Sequence, residues 1–384
     1  MSALQPAGRP KGVNLASLSS EHLYAFSEND LALIASWRFS HVRVCVALPL
    51  LDDPLCWMTL DRLLAAGARY GLGCVLALAV PGGALAHRAL FADEGAWGRL
   101  LQRWEAIARR YLDRPSDFAQ GRPGSLAYDL LDRPSPPDDL PEVALQALGA
   151  PRLSFAAARR LAAGAGTGRA PDAPRGATGA RAWNALAVRL TQAIRAIDRQ
   201  HPIVVETAGA DPAAFAQLRP TGDQHTIYSC HFFEPAAFTR QGAPATAAPG
   251  ELRRPGSREQ ARLLPPGARA VSYPGVIDGE RWDRERLHRA LQPALTFQRT
   301  YQTPLYLGAF GVSAAAPHQA QLTWVRSLLS LCHAYGIGWA YGGYRLTPAC
   351  PFGLIGDAPP FTSLPQFQNP QRLDYDLLAI LQSE

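Results

Sequence analysis

The chain has 384 residues, of which 47% are hydrophobic and 18% charged, with a formal net charge of +6 and Lys11 as the only lysine. This is the composition of a globular protein with a substantial core. Its arginines, such as Arg109, Arg110, Arg195 and Arg199, fall on the polar faces of helical patterns, and no basic run is interleaved with exposed aromatics, so no nucleic-acid partner is expected.

Read from the N-terminus, short apolar runs alternate with longer segments of helical period. Val13-Asn14-Leu15 is the first strand, followed by 42–46 and 74–80. Trp97, Leu100, Leu101, Trp104, Ile107 and Tyr111 then form one apolar stripe at i, i+3, i+4, i+7 spacing, which predicts a helix. A strand at 126–131 precedes an Ala/Gly/Arg-rich stretch, 156–182, read as a long irregular loop. Next come a helix through Trp183, Leu186, Leu190, Ile194 and Ile197, then strands at 203–205 and 226–231. A Pro/Ala/Gly-rich stretch at 242–275 is read as a second long loop. A helix through Leu287, Leu291, Leu295 and Tyr301 and strands at 305–307 and 337–340 complete the series.

Continuous apolar runs, rather than in/out alternation, suit parallel strands covered on both faces. Eight βα units in one chain of this length predict an α/β fold, a single-domain (β/α)8 TIM barrel over 1–384 with both long loops at its C-terminal mouth. No glycine-rich fingerprint follows the first strand, which argues against an open dinucleotide-binding sheet, and no cofactor is expected. Six cysteines at 45, 56, 74, 230, 332 and 350 show neither CxxC spacing nor a histidine cluster, so no metal site is expected. No apolar run reaches the roughly 18 residues that span a bilayer. The N-terminal Met1-Ser2-Ala3-Leu4-Gln5-Pro6 lacks the basic and apolar regions of a secretory leader, which favours a cytoplasmic location.

Eight segments in order then carry a family signature. They include Gly12-Val13-Asn14-Leu15, His41-Val42-Arg43-Val44, Tyr128-Asp129-Leu130-Leu131-Asp132-Arg133-Pro134 and His201-Pro202-Ile203-Val204-Val205-Glu206. Further along are Tyr228-Ser229-Cys230-His231-Phe232-Phe233-Glu234-Pro235, Leu307-Gly308-Ala309-Phe310-Gly311 and Tyr335-Gly336-Ile337-Gly338-Trp339-Ala340-Tyr341. Over nearly its whole length the chain resembles glycoside hydrolase family 5, the cellulase-like retaining β-glycanases.

The resemblance implies a glycosidase site, and this sequence departs from it at most positions. Arg43 matches the family's arginine beside the nucleophile, and His231 its sixth-strand histidine. The strand-four Asn-Glu-Pro reads Asp132-Arg133-Pro134, with Arg133 at the acid/base position. The strand-seven Gly-Glu-Phe-Gly reads Gly308-Ala309-Phe310-Gly311, with Ala309 at the nucleophile position. The third-strand histidine is replaced within Ala77-Leu78-Ala79, the sixth-strand tyrosine by Phe233, and the eighth-strand tryptophan by Gly342 or Gly343. A retaining glycosidase needs two carboxyl groups across the scissile bond, and arginine and alanine supply neither.

No catalytic residue is therefore expected. Among remaining carboxylates, Glu206 is the best spare candidate. Asp132 reads as an ion-pair partner, Asp129 as a barrel-layer residue, Glu234 as structural, and Glu94 as a loop residue. Arg43, Asp132, Arg133, His231, Trp339, Tyr341 and Tyr344 are the expected binding residues, with Tyr306 as a further aromatic. The expected partners are a β-glucan-type polysaccharide or a protein docked at the barrel mouth, in the setting of bacterial polysaccharide metabolism. Two alternatives stand beside this: an atypical glycosidase with a relocated carboxylate, and an interaction protein whose old cleft is filled by Arg133 and the long loops.

Overall fold

The computed structural model describes residues 9–18, 26–148, 177–243, 270–347, 350–357 and 361–383. Eight parallel strands close into a barrel: β1 (Lys11–Asn14), β2 (His41–Ala47), β3 (Gly73–Ala79), β4 (Leu126–Asp129), β5 (Ile203–Glu206), β6 (Thr226–Phe232), β9 (Leu305–Phe310) and β10 (Gly338–Tyr341). β10 pairs back onto β1, so no edge remains. The helices at Glu94–Tyr111, Ala177–Arg195 and Arg284–Tyr301 contain the apolar stripes read from the sequence, except that Ile197 falls in the turn just after the second. No helix among the described residues is long and apolar enough to cross a membrane.

Two sequence expectations change. The loop read at 156–182 lies outside the described residues up to 176, and 177–182 belongs to the helix Ala177–Arg195, whose alanines favour that state. Most of the loop read at 242–275 also lies outside the described residues, but its last residue begins a hairpin. β7 (Gly275–Ile277) and β8 (Glu280–Trp282) pair antiparallel across Asp278-Gly279, both at positive φ. An Asp-Gly pair between short strands is a strong hairpin signal that the composition of the preceding stretch masked.

Strand parity decides which side chains reach the barrel interior. In β2, His41, Arg43 and Cys45 point inward while Val42, Val44 and Val46 pack outward in the main core. Register carries this parity around the barrel, since paired residues of parallel strands face the same way: Asn14 pairs with Arg43, and Val13 with both Val42 and Tyr341. The lower interior is apolar, filled by Val75, Ala127, Val204, Ile227 and Ala340 around Phe118 and Tyr306. The upper interior is polar.

Three helix tryptophans fix the strand ends at the mouth. The indole N–H of Trp104 donates to the Leu130 carbonyl (3.0 Å), that of Trp183 to the Glu206 carbonyl (2.7 Å), and that of Trp324 to the Glu234 carbonyl (2.9 Å). Each indole is buried, so its polar tip has a partner while its rings fill the layer between barrel and helices.

Candidate functional site

The polar upper layer is organised by Arg43, which is 2% exposed. Its Nη2 donates to Asp129 Oδ2 (2.8 Å), Asp132 Oδ1 (2.7 Å) and Glu206 Oε1 (2.9 Å), while Nε donates to Asp129 Oδ2 (3.0 Å) and Nη1 to Asn14 Oδ1 (3.2 Å). Asn14 is held in turn by its amide, which donates to the carbonyls of Gly308 and Tyr341. One cation therefore collects carboxylates from β4, the turn after it, and β5.

Glu206 is fully buried and accepts from two further donors. His231 Nε2 lies 2.9 Å from Oε1, and because an ionised carboxylate only accepts, Nε2 carries the proton. The backbone N–H of Arg133 donates to Oε2 at 2.7 Å. A bulge places this histidine: Cys230 pairs with Leu307 but His231 with Ala309, leaving Gly308 as the extra residue. A Cβ on Gly308 would stand 3.0 Å from both Glu206 Oε1 and His231 Nε2, which is why a side chain there would press on the network.

Burial and the neighbouring charge of Glu206 push the Asp129 carboxyl well above its usual range, against the pull of Arg43. Burial acts the same way on Asp132, but Arg43, Arg133 and His231 outweigh it and hold that carboxyl well below its usual range. The two carboxyls are thus shifted in opposite directions, as expected where several are packed on one cation. Asp132, Glu206 and His231 also bring potential metal-ligating atoms within 4.8 Å of one another. The guanidinium nitrogen of Arg43 already stands against both carboxylates, so the cation this cluster needs is supplied by the chain itself.

Above this layer the mouth is apolar. Ala309, at the nucleophile position of the resemblance, packs with Phe233 and Phe352. The two rings lie 4.9 Å apart. Phe352 comes from the segment after β10 and is fully buried; a Cβ on Gly342 would stand 2.8 Å from its Cβ. The ring therefore uses the space beside the glycine where the resemblance puts a tryptophan. The sequence reading missed Phe352, although the paired glycines Gly342-Gly343 signalled a space that something else had to fill.

Arg133 occupies the exit of β4 with φ at +47°, a left-handed conformation unusual outside glycine, and its side chain is 22% exposed. Its Nε approaches Asp132 Oδ2 at 3.4 Å.

Among the described residues, the aromatics expected to line a cleft do not form one. Trp339 and Tyr341 alternate outward from β10 and pack edge-on against Phe310 in the barrel–helix layer, Trp339 also against Phe39. Tyr344 is buried beside Trp37 and donates its hydroxyl to Asp30 Oδ1 (2.6 Å). Tyr306 sits in the lower interior, its hydroxyl 2.7 Å from His41 Nε2. Parity explains the correction: the inward positions of β10 are Gly338 and Ala340, so its large rings have only the outer layer to enter. Arg43, Asp132, Arg133 and His231 are brought together as the sequence suggested, with Asp129 and Glu206 added. Glu94 lies apart, in the first turn of the helix Glu94–Tyr111, and Glu234 is exposed beyond β6.

The cellulase (glycosyl hydrolase family 5) sequence family matches residues 170–345. Endoglucanase C of Acetivibrio thermocellus is 24% identical over 361 residues, covering 87% of this chain and 90% of that protein. The chain is similar to the family 5 glycoside hydrolases. Solved structures share the barrel fold. Cel5A of Thermotoga maritima, crystallised with cellobiose, superimposes with a TM-score of 0.65 at 20% identity, over 97% of this chain and 96% of that one. The cellulose synthase subunit Z of Clostridioides difficile gives 0.65 at 16% identity, over 97% and 99%. Against that family background, the residues at the two carboxyl positions of the resemblance are Arg133 and Ala309, and the carboxylates present in the mouth all face Arg43.

Proposed function

We propose that this protein is a non-hydrolysing family 5 relative that binds a polysaccharide at the rim of the barrel mouth without cutting it. The observation that carries the reading is the commitment of Asp132 and Glu206 to a single nitrogen of Arg43. Retaining hydrolysis needs two carboxyl groups about 5–5.5 Å apart with an acetal between them. Here a guanidinium stands between them, both are buried, and the methyl of Ala309 meets two phenyl rings where an attacking oxygen would be needed. General acid catalysis alone contributes roughly 10²–10⁴ in rate, so its loss together with the nucleophile removes the family's route. The relatives' names, endoglucanase and cellulose synthase subunit, support a β-glucan-type or other bacterial polysaccharide as ligand.

A second reading has its own support: the Phe233–Phe352 pair fills the mouth, as it would in an interaction protein that has lost its ligand. The deciding experiment measures reducing-sugar release from a panel of β-glucans beside retention of the full chain on the same polysaccharides in affinity electrophoresis. Retention without release is expected. Release that disappears in Glu206→Gln would make the protein a glycosidase with a relocated carboxylate, and indifference to every polysaccharide would favour the filled-mouth reading.

A further inference from the structure

Seven of the eight tryptophans are exposed by 6% or less, and Trp57 alone reaches the surface. It stands in the first turn of the helix Pro54–Arg69, which Asp53 caps by accepting the Leu55 N–H at 2.9 Å. Cys56, Leu60, Leu63, Leu64 and Gly67 form the buried stripe of that helix. Trp57 and Asp61, one turn apart, therefore fall on its flank, where both meet Arg110 of the neighbouring helix Glu94–Tyr111. Two contacts fix the ring. Its indole N–H donates to the Leu51 carbonyl at 3.0 Å, and the Arg110 guanidinium stands 5.4 Å from the ring centroid. Arg110 is held in turn by Asp61, through Nε at 3.0 Å and through Nη2, and the Tyr111 hydroxyl donates to the same carboxylate.

Between these helices lies a hollow of about 450 Å³, lined by Asp52, Pro54, Trp57, Met58, Ala106 and Arg110. None of these residues belongs to the barrel interior. Met58 is 58% exposed, and Leu55 in the same turn is 46% exposed. An apolar wall left open to water and rimmed by charges marks a binding surface. The charges are of both signs and already positioned. Arg110 keeps its Nη1 without an acceptor among the described residues, and Asp52, paired with Arg103 through Oδ1, keeps Oδ2 free of hydrogen bonds among them.

A pyranose has the matching chemistry. Its ring C–H groups present an apolar surface, which Trp57, Pro54 and Met58 can cover, and its hydroxyls both donate and accept, toward Asp52 and from Arg110. Side chains already held by ion pairs lose little further freedom on binding. A concave, largely apolar recess with a few fixed polar groups suits a saccharide better than a second protein surface.

We propose that the Trp57 hollow is a second saccharide-binding site, set in the helical coat of the barrel and separate from the mouth. The inference rests on the glycan-binding reading above for its ligand class, a β-glucan-type chain, and adds a site to it. Two attachment points on one polymer strengthen retention without any new contact at the rim.

Iodide quenching of tryptophan fluorescence reads this site directly, because the ion reaches Trp57 and not the seven buried indoles. Cellohexaose is the probe, with laminarihexaose as a second arm, and calorimetry on the full chain gives the affinities. One of the two sugars is expected to lower the quenching constant by about half or more, and Trp57→Ala to weaken its binding about tenfold. Ala106→Phe fills the hollow while leaving its walls in place, and a comparable loss there supports the site if Trp57→Ala does not fold. Binding that leaves the quenching constant unchanged, or that survives undiminished in Ala106→Phe, would overturn the inference and leave the rim reading standing. A dimer in sedimentation that Met58→Glu dissociates, with quenching unmoved by sugar, would assign the hollow to a second copy of the chain and overturn it too. Absence of heat with either sugar would overturn both readings. Cleavage of cellohexaose with Trp57 still protected would uphold this site and overturn the non-hydrolysing reading alone.

Discussion

Replacing Arg43 with methionine removes the cation but keeps most of the side-chain volume. In the native protein one nitrogen stands 2.7–2.9 Å from three carboxylate oxygens, all nearly inaccessible to water. At an effective dielectric constant near 20, each charge pair at about 4 Å contributes about 4 kcal/mol of attraction. Without Arg43 the carboxyls face one another with nothing between them. Breaking a buried ion pair from one side typically costs about 3–5 kcal/mol, and this site lies at the upper end because more than one carboxylate loses its partner. The variant should relieve the repulsion by taking up protons, which gives the effect a pH signature. In the native protein Asp132 has a depressed folded-state pKa, so its contribution is fully present above the unfolded carboxyl value and constant from pH 5 to 7. In Arg43→Met its folded pKa rises above the unfolded value, so the folded variant binds more protons and loses stability as pH increases. The penalty should therefore be larger at pH 7 than at pH 5, by up to about 1.4 kcal/mol per pH unit for each carboxyl that titrates in between. Urea denaturation at both pH values measures this. Arg43→Lys, which keeps the charge but not the fork, should lose less and show a weaker pH dependence. A penalty below about 1 kcal/mol, or one identical at the two pH values, would refute the view that Arg43 is the counter-ion of the layer.

Two further outcomes are expected. Phe352→Ala should cost about 3–5 kcal/mol in urea denaturation, because the ring is fully buried against Phe233 and the glycine at 342; a loss under 1 kcal/mol would mean the mouth closes without it. Burial pushes the His41 imidazole down to about 3, aided by the charge of Arg43, and the His87 imidazole down to about 4, aided by Arg133. With both values depressed, their stabilisation is present above the unfolded value near 6.5 and is lost as pH falls, at up to about 1.4 kcal/mol per unit for each, down to pH 4 for His87 and pH 3 for His41. Denaturation midpoints that stay flat from pH 6.5 to 4.5 would contradict this.

The barrel was legible because its strands are continuous apolar runs and its helices carry uniform stripes, two patterns that local chemistry dictates. The mouth was legible only where a residue sits on a strand of known parity. Arg43 and His231 follow from their positions in β2 and β6, and the loss of the family's carboxyls follows from Arg133 and Ala309. Trp339 and Tyr341 misled because a large aromatic near a strand end reads as cleft-lining, whereas the register with Val13 turns Tyr341 outward. Phe352 was missed for the opposite reason: it reaches the site from an irregular segment, where no period announces which way a side chain points.

The indole-to-carbonyl ties from Trp104, Trp183 and Trp324 have a consequence for how this rim can change. They hold three neighbouring exits of the barrel from behind, through the helical coat, and not through the segments that cross the top. Rim segments can then be lengthened, trimmed or rewritten while the exits stay where they are. A scaffold secured in this way can surrender one chemistry and take up another specificity without first losing its shape.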